Sequence, residues 1–119
     1  MSTPVGPYAP AMRAGDWLVT SGQIGVRTTA DGPVLVAGGF AEQARQALTN
    51  VGEVLAGRNL DWRNVVKTTV FLADMADYTE FNELYLGVIG DHRPARSVIG
   101  VVALPLGALV EVEVWAYAG

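Results

Sequence analysis

Valine recurs at every second position from Val110 to Val114, and a period of two predicts a strand, here over residues 108–117. Val110, Val112 and Val114 share one face, and Leu109, Glu111, Glu113 and Trp115 share the other. Another apolar segment, residues 96–102, predicts a strand just upstream, with the turn formers of Leu104-Pro105-Leu106-Gly107 between the two. Earlier strands are predicted at residues 17–21 and over Val65–Leu72. In the second of these a Val66, Thr68, Val70, Leu72 face opposes Val65, Lys67, Thr69 and Phe71. Residues 1–7 form a lead-in punctuated by proline and glycine. Residues 8–14 read as an edge strand, because Pro10 is tolerated only at an edge, and Gly15-Asp16 make the turn that follows. Residues 24–36 read as a hairpin with Asp31-Gly32-Pro33 near its tip.

From Phe40 the period changes to that of a helix. Phe40, Ala44, Ala47, Leu48, Val51, Val54 and Leu55 fall on one face; Glu42, Gln43, Arg45, Gln46 and Glu53 fall on the other, with Gly57 as the stop. Residues 60–64 connect this helix to the strand at Val65. A second helix starts at Asp77, with Glu80 completing a capping-box pattern. Tyr78, Phe81, Leu84/Tyr85 and Val88 trace its apolar stripe, and Gly90 and Pro94 end it. Strands, helix, strand, helix, then two strands define a single α+β domain over residues 1–119, with two helices on one face of a mainly antiparallel sheet.

Composition narrows the function. Half of the 119 residues are hydrophobic and 17% are charged, as in a compact domain, and so low a charge also suits a chain partly covered by other subunits. Net charge is −4, Lys67 is the single lysine, and the arginines are scattered, so the basic stripe of a nucleic-acid binder is missing. With no cysteine there is no thiolate nucleophile, disulfide or cysteine-ligated metal. The first residues show neither the charged nor the apolar region of a signal peptide, and no apolar run is long enough to span a bilayer. The expected compartment is the cytoplasm.

The candidate chemistry lies in the last quarter. Arg96 is the only cation between Pro94 and the C-terminus. On spacing it either caps a helix or pairs with Glu111 or Glu113, or else it clamps a ligand carboxylate, which its planar guanidinium suits. Glu111 and Glu113 either sit on a solvated rim or, beside Leu109 and Trp115, are sheltered enough to handle a water or a proton. His92 reads as a solvated or capping turn residue, and no Gly-x-Ser-x-Gly elbow accompanies it. Tyr8, Ser21 and Asn82 are uninformative singly. Metal ligands, a phosphate loop and a dinucleotide fingerprint are all lacking, so no cofactor is implied.

Taken in order, these pieces resemble the reactive-intermediate deaminase family, RidA/YjgF. The resembling segments are Gly6-Pro7-Tyr8, Ser21-Gly22-Gln23-Ile24, Gln43-x-x-Gln46-Ala47-Leu48, Val65 through Phe71, Asn82-x-x-Tyr85, Pro94-Ala95-Arg96-Ser97, Leu104-Pro105 and Val110-Glu111-Val112-Glu113. The resemblance implies a chorismate-mutase-like fold, a homotrimer with a ligand cleft at each subunit interface, and cofactor-free hydrolysis of 2-imino acids to 2-oxo acids and ammonia. It assigns substrate-carboxylate binding to Arg96 and the pocket glutamate to Glu111. Tyr8, Ser21 and the Gly22 backbone join Arg96 in substrate binding. Four positions depart from the pattern: Val98 replaces a common cysteine, Val88-Ile89 a common aromatic pair, and Gly25 a frequent proline. These changes bear on side-chain preference, since the polar anchors are kept. The alternative expectation is a non-catalytic trimer that binds small carboxylates. A ribonuclease activity, attributed to some relatives, is opposed by the acidic charge balance. The expected partners are a small carboxylate and two further copies of the chain, with no nucleic acid and no membrane.

Overall fold

The computed structural model describes residues 6–119; residues 1–5 of the lead-in lie outside the described residues. The strands are β1 (Ala11–Ala14), β2 (Trp17–Thr20), β3 (Gln23–Ile24), β4 (Val26–Thr29), β5 (Gly32–Leu35), β6 (Val65–Leu72), β7 (Ala95–Gly100) and β8 (Val110–Tyr117). The helices are α1 (Phe40–Ala56) and α2 (Tyr78–Ile89). The main sheet runs β1-β2-β8-β6-β7, with β3 also paired to β8, while β4 and β5 form a separate hairpin. All pairings are antiparallel except β6 with β7, which α2 links as a parallel crossover. The expected α+β class is the observed one. Among the described residues no helix is long and apolar enough to cross a membrane.

One face of the sheet holds the core. Val110, Val112, Val114 and Ala116 of β8 are fully buried, as their period of two requires, beneath Ala44, Ala47, Leu48, Val51 and Leu55 of α1. The two polar residues buried on α1 are there for their hydrogen bonds. Asn50 Nδ2 donates to the carbonyls of Ile24 (3.1 Å) and Val26 (2.8 Å), and Gln43 Oε1 accepts from the Leu109 amide (2.9 Å). Gln43 therefore faces inward, contrary to its expected place on the polar side. Backbone groups that leave the sheet at β3 and before β8 need partners, and these amides supply them.

Other expectations shift locally. Residues 8–10 are not strand; β1 begins at Ala11. Likewise Val101 and Val102 leave the sheet after β7. At the start of β6 the register slips between Val65 and Lys67, so Val65 turns inward and Val66 is exposed, breaking the expected alternation. The Asp77–Glu80 capping box does not form. A 3₁₀ turn, Met75–Asp77, leads into α2, and Asp77 has a near-helical backbone (φ −82°, ψ 0°) from which its side chain makes no cap bond. Asp74 caps that turn instead, accepting from the Ala76 amide at 2.9 Å. On α2 the buried line is Phe81, Tyr85, Ile89, spaced by four, while Tyr78 and Val88 are exposed. His92, expected in solvent or as a cap, is half-buried and its Nε2–H donates to the Val65 carbonyl at 2.8 Å, pinning the turn after α2 to the start of β6.

Gly25 marks where the β3–β4 corner meets α1: a Cβ there would lie 2.5 Å from the Gln43 carbonyl oxygen and 2.6 Å from its Cα. Backbone cannot rotate away as a side chain can. Gly25→Ala is expected to lower unfolding stability by about 1–3 kcal/mol, the usual cost of overpacking. Urea denaturation checks this, and an unchanged midpoint would show that the corner yields freely.

Candidate functional site

Arg96 is the second residue of β7 and lies opposite Thr68 of β6. Thr68 points into the core, where its hydroxyl bonds the Tyr85 hydroxyl at 2.9 Å. Arg96 therefore projects on the helix side of the sheet, at its open edge. Its guanidinium lies over the rings of Tyr85 (5.1 Å) and Tyr78 (5.7 Å), and Nη2 donates to Asn82 Oδ1 at 2.7 Å and to the Tyr78 hydroxyl at 3.3 Å. Among the described residues these hydrogen-bond partners are neutral, and Nη1 and Nε have none. The cation is thus oriented but not neutralised. Beside it opens a cleft of about 390 Å³ lined by Asn82, Tyr85, Leu86, Ile89, Arg93, Pro94 and Arg96. Of the readings left open for Arg96, the ion pair with Glu111 or Glu113 is not formed.

Tyr78, Asn82 and Tyr85 orient Arg96, and sequence reasoning gave none of them that role. Their spacing of four and three along α2 places all three on one helical face, which was the available signal. What the spacing did not disclose is that this face meets β7.

Glu111 occupies the other side of the sheet. It lies opposite Phe71 on one neighbouring strand and Ile24 on the other, with Glu113 opposite Thr69. Across Ser21-Gly22 the pairing with β8 steps by one residue, from Val19 opposite Trp115 to Gln23 opposite Val112. This bulge lets Thr20 and Gln23 both face inward, where the Thr20 hydroxyl accepts from the Val114 amide at 3.0 Å. It also brings the Glu111 carboxyl against Gly22: a Cβ on Gly22 would meet Glu111 Cδ and Oε2 at 2.6 Å. Ser21 donates its amide to Pro10 O (2.9 Å) and its hydroxyl to Ala9 O (2.5 Å), tying the segment that carries Tyr8 to the same bulge. Tyr8 itself is exposed.

The five candidate residues thus form two groups. Arg96 stands with the α2 side chains on the helix side; Glu111, Gly22, Ser21 and the Tyr8 segment stand together around the bulge on and beside the open face. Thr68 and Phe71, the residues opposite Arg96 and Glu111, are three apart on β6 and so point to opposite faces. A single chain does not bring the two groups into contact.

Burial pushes the Glu111 carboxyl above the ordinary carboxylate range, and the neighbouring Glu113 carboxylate adds to it; Glu113 is raised by burial as well. These are the sheltered acids of the second reading, not a fully solvated rim.

The chain is thus a small α+β domain with a stacked, unneutralised arginine on one side of its sheet and a sheltered glutamate on the other. The family model described as Endoribonuclease L-PSP matches residues 1–118, and the chain belongs to that family, which is also the RidA/YjgF family. The human 2-iminobutanoate/2-iminopropanoate deaminase is 44% identical over 115 residues, covering 97% of this chain and 82% of that protein. Among solved structures, yeast Mmf1 is 40% identical with a TM-score of 0.90, covering 99% of this chain and 92% of that one. Escherichia coli TdcF with bound serine is 29% identical with a TM-score of 0.87, covering 99% and 93%.

The raised carboxyls have a stability signature. Each binds its proton more tightly folded than unfolded, so each destabilises the fold increasingly as pH rises from the ordinary value of 4.5 through its higher folded value. In urea denaturation between pH 4 and pH 7, the Glu111→Gln/Glu113→Gln variant is expected to gain on the parent chain as pH rises above the ordinary value of 4.5. A difference that stays flat over this range would contradict the raised values.

Proposed function

We propose that this chain hydrolyses small 2-imino acids to 2-oxo acids and ammonia, without a cofactor, as a cytoplasmic homotrimer of chorismate-mutase-like subunits. Each cleft would take Arg96 from one subunit and Glu111 from another. The activity rests on the human deaminase relative, whose name makes imine hydrolysis the favoured reading over binding alone. The observation that carries the site is the separation of Arg96 and Glu111 on opposite faces of one sheet. Each is poised for a carboxylate or a water, and neither can complete a site in its own subunit. The serine bound to TdcF also carries a carboxylate, the group that Arg96 is suited to receive.

In this reading Arg96 holds the substrate carboxylate through charge-assisted hydrogen bonds worth roughly 1.5–3 kcal/mol. Tyr78, Tyr85 and Asn82 keep the guanidinium in one plane, so the imine carbon is presented at a fixed distance from the anchor. The Tyr8 segment, Ser21 and the Gly22 amide line the side contributed by the second subunit. Ser21 has given its hydroxyl hydrogen to Ala9, so its oxygen acts there as an acceptor. Glu111, whose proton burial and the neighbouring Glu113 hold more tightly than that of an ordinary carboxyl, positions the water. The water oxygen bonds to the imine carbon, the carbon–nitrogen bond breaks, and both water protons leave with nitrogen as ammonia; no electron transfer is needed. Although the family's description names a ribonuclease, a net charge of −4 with scattered arginines gives RNA no cationic path.

Imines generated in situ from alanine or 2-aminobutyrate by an amino-acid oxidase are expected to decay faster with the protein. Arg96→Ala should cost about tenfold or more in kcat/KM, matching the loss of one charge-assisted contact. Equal decay with parent, variant and no protein would reject the enzyme.

The shared site has its own test. Arg96→Ala and Glu111→Gln chains, each impaired alone, are expected on co-refolding at equal amounts to rise to about a quarter of parental activity, because a quarter of randomly formed interfaces pair an intact arginine with an intact glutamate. Light scattering should give a trimer mass. No recovery from confirmed mixed trimers would place the whole site within one chain.

A further inference from the structure

The cleft beside Arg96 holds a second guanidinium. Arg93 lines the same space, with Pro94 and Ala95 between the two arginines in sequence, so their Cα atoms are at most about 11 Å apart. Arg93 is anchored by Nη1, which donates to the carbonyls of Gly90 and of His92 (2.9 Å) at the end of α2. Among the described residues its Nε and Nη2 have no hydrogen-bond partner and no carboxylate forms an ion pair with it. The neighbouring Asp91 faces Arg63 instead, at 3.6 Å. Leu86, Ile89 and Pro94 give the same cleft an apolar wall. In a chain of net charge −4, two unneutralised guanidiniums on one cleft of about 390 Å³ are a local reversal of sign.

We propose that Arg93 determines specificity: with Arg96 holding the carboxylate next to the imine, Arg93 receives a second acidic group at the far end of the substrate. The preferred substrates are then imines of dicarboxylic amino acids, with the connecting methylenes lying on Leu86, Ile89 and Pro94. This deepens the reading of the cleft as a 2-imino acid site and rests on it. A monocarboxylic substrate leaves Arg93 facing water at little cost, whereas a diacid gains a charge-assisted contact there. Arg93 is exposed, so that gain is screened and falls as salt rises.

Two measurements on the full-length chain test this. In the first, calorimetry compares binding of 2-oxoglutarate with that of 2-oxobutanoate. The parent is expected to prefer the diacid by about tenfold, Arg93→Gln to lose that preference, and Arg93→Lys to keep part of it. In the second, kcat/KM for the imine made from glutamate is divided by that for the imine made from 2-aminobutyrate, and Arg93→Gln should lower the ratio to a similar extent. If Arg93 only caps α2, the variant will depress both substrates equally and leave the ratio in place, which overturns the proposal, as does a parent with no diacid preference in either measurement. Arg96→Ala separates the two levels. Should no imine be hydrolysed by any form, the deaminase reading fails, while the binding comparison still decides Arg93.

Discussion

Adjacent side chains of a pleated strand must point to opposite faces, and that constraint governs both the fold and the site here. On β8 it sends Val110, Val112, Val114 and Ala116 into the core beneath α1, and sends Glu111 and Glu113 to the open side. On β6 it separates the residue facing Arg96 from the residue facing Glu111. The core could not be moved to free the glutamates without losing the valines. Stability and chemistry are therefore written into alternate positions of the same strands.

The open face is not built for water alone. Around the glutamates stand Phe71, Ile99, Val19 and an aromatic group in which Trp17 meets Trp115 at 6.2 Å and Tyr117 at 5.0 Å between ring centroids. Lys67 is held by Ser97 at 2.8 Å on the same side, so the one lysine is already hydrogen-bonded within the chain. Helices cover only the core face. A sheet with one face so apolar gains from being covered, and the proposed trimer covers it with further copies of the chain. Such covering would remove more water from Glu111, in the direction in which burial already moves it.

The regular parts of this fold were legible because periodicity is local. The core line of α1 and the valines of β8 could be read directly from spacing. What could not be read depends on partners distant in sequence. Gln43 and Asn50 look like solvent-facing residues of a helix until Leu109, Ile24 and Val26 bring backbone groups to them. The two irregularities, at Val65–Lys67 and at Ser21-Gly22, change which residues face inward and follow from how β8 pairs on both sides. At Ser21-Gly22 a bulge and the close approach of the Glu111 carboxyl to the glycine occur together. For the site, Arg96 and Glu111 were singled out by residue type and by the ordered family motifs. Their placement on opposite faces required the β6–β7 and β6–β8 registers, and no single strand contains that information.

The separation also explains why each group keeps its chemistry. Were Arg96 and Glu111 in contact within one chain, the cation would pull the carboxyl's proton affinity down and the carboxylate would occupy the donors meant for substrate. Instead Arg96 rests on the neutral oxygens of Asn82 and Tyr78 and on two aromatic faces, interactions that fix its orientation without cancelling its charge. Glu111 lies against the bare backbone of Gly22, sheltered and close to another acid, so its proton is held more tightly than in water. In the proposed trimer the substrate's own carboxylate takes the place at Arg96 that an ion pair would have filled. The glutamate is left free for the water. A site divided between subunits can thus bring an acid-binding cation near a proton-carrying carboxyl without the two quenching one another beforehand.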